Sequence, residues 1–426
     1  MKLLIRQGRL VDPAGGIGGA LDILIENGRV AVIGSDLRDP DAQVIDASGL
    51  TVACGLIDMH VHLREPGFEY KETIATGARA AAAGGFTAVA CMPNTRPTID
   101  CPEGVAFVKK KAAEAGASLV WPIAAVSKGQ LGQEVNDYEA LKAAGAVALS
   151  DDGVPVQNAN LLRDAMILAR RQNLTILSHC EDADMVQNFA VNEGKISRQL
   201  RIPGRPAIAE ELQVMRDAML AEETGAAVHI CHISTAKSVA IVRRFKKKGV
   251  AITCETCPQY FTFTEDEVLR QGSLARVNPP LRTPADVEGI IEGLKDGTID
   301  AIATDHAPHS AEEKARPLTQ APSGMIGLET SLAATLTALY HTKQMSLSDI
   351  LRKMTLNPAC ILRMPHKGRL AIGSDADVVI FDPDEEWVVD PDKFRSMARN
   401  TPFAGKTLKG RVKYTILGGN IIYQDT

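Results

Sequence analysis

The residues of this sequence that are best suited to chemistry are histidines and aspartates at the ends of apolar runs. The stretch GLIDMHVHLREPG, residues 55–67, ends its apolar part in His60 and His62. Side chains two positions apart on a strand point to one face, so both imidazoles face the same side. Four other apolar runs end in Asp151–Asp152, His179, His232 and Asp305. Such nitrogen and oxygen ligands suit Zn²⁺ or a similar divalent ion.

The number of these ligands exceeds what one tetrahedral site needs. Two ions about 3.5–4 Å apart would use four histidines and two carboxylates, with one carboxylate as a bridge and a hydroxide between the ions as nucleophile. Asp151 and Asp152 both stand at the end of the fourth run, and spacing does not choose between them. His229 has the opposite parity to His232, so we expect it to pack or to support a ligand.

Eight short apolar runs place these ligands along the chain. Continuous apolar strands separated by helical stretches indicate a parallel sheet covered on both faces, and eight of them predict a (β/α)8 barrel, a TIM barrel, with its chemistry at the carboxyl ends of the strands. The runs are 56–62, 87–94, 119–126, 146–153, 175–182, 227–235, 251–260 and 301–309. Longer inserts at 183–226 and 261–300 leave room for extra helices or a lid.

The two ends of the chain follow another pattern. Both contain short alternating strands broken by Asn-Gly, Gly-Arg and Gly-Gly turns, and neither end could close a good sheet alone. We therefore predict a composite β-sandwich domain from residues 1–54 plus 362–426, beside a barrel domain of residues 55–361.

Composition favours small-molecule chemistry. The formal charge of -5, with 45% hydrophobic and 23% charged residues, gives no electrostatic reason to expect nucleic acid or an anionic membrane. The first residues lack the apolar core of a secretory signal, and no run approaches a membrane span, so we expect a cytoplasmic protein. The eight scattered cysteines predict no disulfide framework.

Two further motifs have ordinary structural explanations. The sequence CETC, residues 254–257, has the spacing of half a zinc or redox site, but no second cysteine pair completes it, so we favour buried cysteines. The basic stretch RRFKKKG, residues 243–249, stands at the end of a predicted helix, where cations favour the helix dipole, which indicates a solvated helix end.

Nine motifs spread over nearly the whole chain resemble class I bacterial dihydroorotases of the amidohydrolase superfamily. The two histidines would identify only the superfamily, whereas the arginine two residues later and the motifs MPNT and VNPPLR are more specific. The motifs are DMHVHLREPG, MPNT, SDDG, SHCED, HICHIST, CETCPQY, VNPPLR, ATDHAPH and GMIGLE. One departure is Pro258-Gln259-Tyr260, where the family usually has Pro-His-His, and Cys257 stands where threonine is common.

The resemblance implies the zinc-dependent, reversible cyclisation of N-carbamoyl-L-aspartate to (S)-dihydroorotate, the third step of pyrimidine biosynthesis. It places His60, His62 and Asp305 at one Zn²⁺ and His179 and His232 at the other. Asp152, favoured over Asp151, would bridge the ions where many relatives use a carboxylated lysine. Asp305 would be the general acid and base.

The resemblance also names residues for the substrate. Arg64, Asn94 and His309 match the positions that hold its carboxylate, and a guanidinium is suited to a bidentate grip. The remaining predicted substrate-binding residues are His62, Asn278, Ser323 and Gly324. The polar segment 309–324 has the length of a mobile lid.

Two rival functions differ in what they require. Another cyclic amidohydrolase, such as a dihydropyrimidinase, hydantoinase or allantoinase, would favour the carboxylated lysine and lack the pair Arg64 and Asn94. A non-catalytic partner of aspartate transcarbamoylase would have lost metal ligands, and none is missing here. A homodimer and an association of the active enzyme with that transcarbamoylase are the predicted partnerships.

Overall fold

Each of the eight apolar runs overlaps one strand of a single parallel sheet. The structure, a computed structural model, describes residues 2–187 and 189–425, so Met1 and Thr426, the outer limits of the predicted composite domain, lie outside the described residues. Its strands in chain order are β1 (Lys2–Asp12), β2 (Ile17–Glu26), β3 (Arg29–Gly34), β4 (Gln43–Asp46), β5 (Thr51–Cys54), β6 (Leu56–Val61), β7 (Phe86–Cys91), β8 (Leu119–Ala124), β9 (Ala148–Leu149), β10 (Ile176–Ser178), β11 (Val191–Asn192), β12 (Gly204–Arg205), β13 (Val228–Ile230), β14 (Ile252–Thr256), β15 (Ala301–Ile302), β16 (Val378–Val388), β17 (Thr407–Leu417) and β18 (Asn420–Gln424).

Helices follow most barrel strands, as the alternating pattern predicts. They are α1 (Ile74–Ala83), α2 (Pro102–Ala115), α3 (Tyr138–Ala144), α4 (Ala159–Arg171), α5 (Ala183–Val186), α6 (Lys195–Leu200), α7 (Ile208–Thr224), α8 (Ala236–Lys247), α9 (Pro258–Thr262), α10 (Glu267–Gln271), α11 (Pro284–Lys295), α12 (Ala311–Lys314), α13 (Ser331–Thr335), α14 (Leu347–Met354) and α15 (Leu356–Ile361). The insert 183–226 contains α5 to α7 and the β11–β12 pair, and the insert 261–300 contains α10 and α11.

The barrel closes between its first and last strands. The sheet order is β6-β7-β8-β9-β10-β13-β14-β15, and a parallel bridge joins Val61 to His306, just beyond β15. The amide of His62 donates to the His306 carbonyl over 2.8 Å. The predicted (β/α)8 barrel is therefore confirmed.

Apolar side chains from around the barrel form one buried cluster among the strands. Because residues from nearly every strand of a closed sheet meet there, they fill the interior and leave only the strand ends for polar groups. The cluster includes Met59, Ala90, Ile123, Ala148, Leu177, Cys231 and Ala301.

The chain ends form a second sheet together. Its order is β18-β17-β16-β5-β1-β2-β3, with β4 also paired to β1. The two ends meet in the antiparallel pairing of β5 with β16, from Cys54 opposite Val378 to Thr51 opposite Phe381, and in an antiparallel bridge between Arg29 and Asp375. This sheet has its own apolar core, which includes Ile5, Ile23, Val52, Val378 and Ile416. A joint β-structure from both ends is confirmed, while the domain limits at 54/55 and 361/362 stay a prediction.

Candidate functional site

The six predicted metal ligands meet at the carboxyl ends of the barrel strands. His62 Nε2 lies 3.1 Å from Asp305 Oδ1 and 3.4 Å from Asp152 Oδ2. Asp152 Oδ1 lies 3.5 Å from His60 Nε2, 3.4 Å from His179 Nδ1 and 3.5 Å from His232 Nε2. Asp152 is thus the carboxylate that faces all four histidines.

Asp151 faces away from this cluster. Its Oδ1 accepts from the Val126 amide over 2.8 Å, and its Oδ2 accepts from the Ser127 hydroxyl. These bonds fasten the end of β9 to the loop after β8. Burial raises the pKa of Asp151 to about 6, although the bonds from Ser127 and Val126 oppose the rise.

The backbone is unusual at several site residues. Arg64, His232 and Asp305 have φ values of 63°, 31° and 50°, in the left-handed region that side chains larger than glycine rarely adopt. In β6 the register against β7 shifts between Asp58 and Val61, an irregularity that changes the direction of side chains. Such local strain is concentrated where geometry serves chemistry.

The donor set fits one or two divalent cations. His60 Nε2 and Asp152 Oδ1 are buried and have no hydrogen-bond partner among the described residues, and both point into the cluster. In three groups of three residues, the ligand-type atoms lie within 4.8 Å of one another. Two groups consist of predicted ligands, namely His60, His62 and Asp305, and His60, Asp152 and His232, while the third is His60, Cys231 and Glu255. Neutral imidazole nitrogens and carboxylate oxygens are the ligands that Zn²⁺ binds in proteins.

The electrostatics of the cluster also call for positive charge. Burial opposes ionisation of Asp152, yet His60, His179 and His232 hold its pKa well below the usual range. Burial likewise opposes protonation of His60, but Asp152 and Glu255 raise its pKa well above the usual value. The buried carboxylates therefore require a positive partner, which protons or a metal ion can supply.

Two partners of the histidines orient their rings. Glu255, on β14, has Oε1 2.8 Å from His60 Nδ1, and its Oε2 lies 3.3 Å from His229 Nε2. Asn94 Oδ1 lies 2.9 Å from His62 Nδ1, which places this predicted substrate residue against a ligand. A carboxylate or amide on the far nitrogen fixes the tautomer and direction of a ligating imidazole. His229 thus has the supporting position expected for it.

Glu255 was missed by sequence reasoning. It lies between Cys254 and Cys257 in the motif CETC, and the interpretation of this motif from sequence rests on its cysteines alone. A glutamate inside an apolar strand is a stronger signal of a functional residue than the spacing of these cysteines. Both cysteines are buried and free, and all eight cysteines of the chain are free thiols.

A polar network lies behind His179. Its Nε2 is 3.6 Å from Glu181 Oε2 and 3.4 Å from Asn278 Nδ2. The Arg205 guanidinium bonds to both Glu181 and Asn278. Burial opposes ionisation of Glu181, but His179 and Arg205 lower its pKa to about 2. Asn278 therefore lies at the edge of the ligand cluster, and Glu181 and Arg205 are further residues that sequence reasoning missed.

Arg64 follows the first histidine pair and is held by backbone. Its Nε donates to the Pro308 carbonyl over 3.1 Å, and its Nη2 lies 3.5 Å from His309 Nε2. Burial lowers the pKa of Arg64 to about 10, while Asp305 and Asp152 oppose the decrease. The guanidinium remains charged at neutral pH beside the metal ligands.

His309, Ser323 and Gly324 adjoin one another beside Arg64. Burial and the neighbouring cations Arg64, Lys71 and Lys314 lower the pKa of His309 to about 2, so the ring is neutral. Its Nε2 donates to the Ser323 carbonyl over 2.8 Å. The Gly324 amide donates to the Arg276 carbonyl. The structure brings these three residues together, with polar groups that already bond within the protein.

A cavity of about 400 Å³ opens beside the cluster. It is lined by Phe68, Asn94, Arg96, Gln130, Asp152 and Gly153, among others. Asn94 and Asp152 thus reach space large enough for a small ligand. None of the helices among the described residues is long and apolar enough to cross a membrane. The basic stretch 243–249 ends α8, and its Arg243 and Lys246 pair with Asp296 and Asp300.

Comparison with known proteins places this site in a family. Residues 49–238 match the family described as Dihydro-orotase-like. The chain is 47% identical to a dihydroorotase from Syntrophus aciditrophicus, covering 100% of both chains. It is 49% identical to one from Pelotomaculum thermopropionicum, covering 100% of this chain and 99% of the relative. The solved structure of an L-hydantoinase (dihydropyrimidinase) from Arthrobacter aurescens is similar, with a TM-score of 0.88, 27% identity, and coverage of 99% and 96%. The chain belongs to the dihydroorotase family.

Proposed function

We propose that this protein is a dihydroorotase, which interconverts N-carbamoyl-L-aspartate and (S)-dihydroorotate plus water in pyrimidine biosynthesis. The observation that carries the proposal is the charged guanidinium of Arg64 beside a six-ligand cluster, since a cyclic amide that also bears a carboxylate needs both. Identity of 47% and 49% over full length to curated dihydroorotases supports it.

Two Zn²⁺ ions would be held by these residues. His60, His62 and Asp305 would hold one ion, His179 and His232 would hold the other, and Asp152 would bridge them. When bound, the ions supply Lewis-acid polarisation of the amide carbonyl and activation of water. The barrel contributes the fixed positions of the ligands, with Glu255 and Asn94 directing His60 and His62.

Asp305 would move the proton between water and the ring nitrogen. Its Oδ1 faces His62 Nε2 over 3.1 Å and His60 Nε2 over 3.6 Å, and the residue is 7% exposed. In ring opening Asp305 takes the proton of the attacking water and gives it to the leaving nitrogen. In ring closure it runs the same transfer backwards.

Arg64 would bind the substrate carboxylate, with Asn94 as an uncharged donor and neutral His309 beside it. Asn278, Ser323 and Gly324 would approach the ring or carbamoyl end, and His62 would touch the substrate from the metal side. A fixed guanidinium strengthens such a charge-assisted hydrogen bond. It also distinguishes dihydroorotate from dihydrouracil and hydantoin, which have no carboxylate.

The test is to purify the protein, count metals per chain, and follow dihydroorotate hydrolysis beside dihydrouracil and hydantoin. We expect one or two metals per chain and turnover of dihydroorotate alone. Turnover of dihydrouracil or hydantoin in preference would favour a dihydropyrimidinase or hydantoinase. Absence of bound metal with no turnover would favour a non-catalytic partner of aspartate transcarbamoylase.

Substitution of Arg64 tests the substrate assignment directly. In Arg64→Ala we expect KM for dihydroorotate to rise by about 10–100-fold with metal content retained, because a charge-assisted contact is lost. Arg243→Ala, on the surface of α8, is the matched control. An unchanged KM in Arg64→Ala would contradict the assignment of the carboxylate.

The partnerships and the location belong to the same proposal. We infer an active enzyme of the cytoplasm, a homodimer, and an association with aspartate transcarbamoylase from the family resemblance. Size measurement of the purified protein, alone and mixed with that transcarbamoylase, tests both partnerships.

A further inference from the structure

Lys314, the last residue of α12, is a buried lysine outside the metal cluster. Its side chain donates from Nζ to the carbonyls of Pro322 and Gly324, both over 3.0 Å, and of Arg276 over 3.3 Å. The residue is 4% exposed. An ammonium has three protons, and three backbone carbonyls can accept all of them.

These carbonyls join two parts of the predicted lid. Lys314 lies in the first half of segment 309–324, and two of its acceptors lie at the end of that segment. The third, Arg276, also accepts from the Gly324 amide over 2.9 Å. Lys314 therefore ties the segment into a closed loop and fastens it to the residues before Asn278.

A second contact holds the same loop base. Asn400 Nδ2 donates to the carbonyls of Ala307 and Gly324, each over 3.1 Å. Its Oδ1 accepts from the His309 amide, also over 3.1 Å. Asn400, from outside the loop, aligns the start and the end of the loop. Lys314 belongs to the loop itself.

The space around Gly324 leaves little tolerance. Gly324 has a φ of 133°, and a Cβ added there would lie 3.0 Å from His309 Nε2 and 2.8 Å from the Ala307 Cβ. A displacement of the Gly324 backbone therefore moves His309, whose Nε2 donates to the neighbouring Ser323 carbonyl. Lys314 acts on the substrate residues through this contact.

We propose that Lys314 is a positioning residue of the substrate site, whose three hydrogen bonds hold His309 in the arrangement that receives the substrate carboxylate, and Ser323 and Gly324 in the arrangement that receives its ring or carbamoyl end. The identity of the ligand in this inference rests on the proposed function, whereas the role of Lys314 in holding the loop does not depend on it. The loop is thus fixed at its base by Lys314, and between Lys314 and Pro322 the Leu318 carbonyl accepts from Arg276 Nη1 over 2.6 Å.

The experiment compares Lys314→Met with Lys353→Met. Lys353 is a matched control because it is 6% exposed and donates to a backbone carbonyl, that of Ile299, at the amino end of β15, the end of that strand opposite the metal cluster. For Lys314→Met we expect KM for dihydroorotate to rise about tenfold and kcat to change much less, since the lost interactions position bound substrate. Amide hydrogen exchange in a peptide covering 322–326 should become faster in this variant alone.

A variant that retains a donor separates positioning from general stability. Lys314→Gln keeps one NH₂ group, so its KM and exchange rate should lie between those of the wild type and Lys314→Met. It also serves if Lys314→Met fails to fold. In Lys314→Ala, added methylammonium should lower KM, whereas it should leave the KM of Lys353→Ala unchanged.

The outcomes distinguish this inference from the proposed function. A wild type that binds metal but does not turn over dihydroorotate would defeat the proposed function, and the exchange measurement would still report on the loop. Normal turnover in Lys314→Met, with unchanged KM and unchanged exchange at 322–326, would overturn the role of Lys314.

Discussion

The barrel mouth, which is the set of residues at the carboxyl ends of the barrel strands, and the terminal sheet, which is formed by both chain ends, use left-handed backbone in opposite ways. In and beside the first three strands of the sheet, the described residues other than glycine with positive φ are Gln7, Asn27 and Asp36, which are exposed at a bulge or at turns. At the mouth they include His232 and Asp305, which are 2% and 7% exposed. An exposed asparagine or aspartate accepts this conformation readily, whereas a buried histidine is forced into it by its surroundings. The sheet uses such residues for connection, and the mouth uses them to aim ligands.

The difference extends to what fills the interior. The terminal sheet encloses aliphatic side chains, such as Ile23 and Ile380 at 0% exposure. At the mouth, buried carboxylates and imidazoles face one another. Burial of unpaired charge lowers stability, so the folded mouth is stabilised by hydrogen bonds and ion pairs with neighbouring residues and by cations. We therefore expect substitutions in the two regions to affect different quantities.

The largest expected effect is on catalysis at the mouth. Asp305→Asn should lower kcat by about 10²–10⁴-fold, because the group proposed to move the proton is lost. Asparagine tolerates a left-handed backbone, so the melting temperature should not fall. Steady-state kinetics and a thermal scan check this, with Asp296→Asn on the surface as the control. A loss of folding in Asp305→Asn would show that the mouth and the sheet differ less than proposed.

The next effect belongs to the sheet. Ile23→Ala should lower the free energy of unfolding of the sheet by about 2–5 kcal/mol, because it leaves a cavity in a fully buried core. The kcat of the folded fraction should stay the same. Denaturant unfolding followed beside activity measures both quantities, and a kcat that fell before the protein unfolded would contradict the separation.

A smaller effect is expected behind the ligands. Glu255→Gln should weaken metal binding by about 10–100-fold, since His60 loses the carboxylate that orients its ring. Competition with a chromophoric chelator measures the affinity directly. Glu267→Gln is the matched control, because Glu267 is 2% exposed and pairs with Lys406 away from the cluster. Equal metal affinity in both variants would show that Glu255 has no role in orienting His60 for metal binding.

The smallest effect lies between barrel and sheet, at Glu329. Its carboxylate accepts from the Arg395 and Ser396 amides, and burial raises its pKa to about 7 despite these bonds. The folded protein therefore holds this proton more tightly than the unfolded chain does. Stability from this group is present below the unfolded pKa and is lost as pH rises through about 7.

Glu329→Gln keeps an acceptor and removes the charge. We expect the variant to match the wild type near pH 4.5 and to be more stable by on the order of 1 kcal/mol at pH 8. Denaturant unfolding at the two pH values measures the difference. A wild type that gained stability relative to the variant as pH rose would contradict the direction of the pKa shift.

Much of the barrel could be predicted because its strands are short apolar runs that end in ligand-type residues. Each predicted run overlaps a strand, but most runs extend beyond it: residues 146–153 contain only Ala148–Leu149 as strand. The excess has a physical cause, since the predicted ligands other than His60, which lies within β6, occupy the irregular backbone after their strands. The same position that identifies these residues makes the ends of the strands hard to predict.

The supporting residues were harder to predict. Arg205 and Glu255 act on partners that are far away in sequence, Glu181 and His60, so no local spacing connects them. Glu181 lies only two residues after its partner His179, which is the one local signal among the three. Asp151 and Asp152 are equivalent by position, and only three-dimensional contacts separate the one that binds Ser127 from the one that faces the histidines. Periodicity predicts which face a side chain lies on, but not which partner it meets there.

The pairing of β5 with β16 has a consequence for synthesis of the chain. A ribosome that adds roughly 5–20 residues per second needs tens of seconds between these two strands. During that time the five amino-terminal strands are outside the ribosome with an open edge at β5, where Val52 and Cys54 lack the partners they have in the finished sheet. Completion of the sheet therefore waits for the synthesis of β16, and chains that stop before Val378 keep an edge that can pair with other nascent chains.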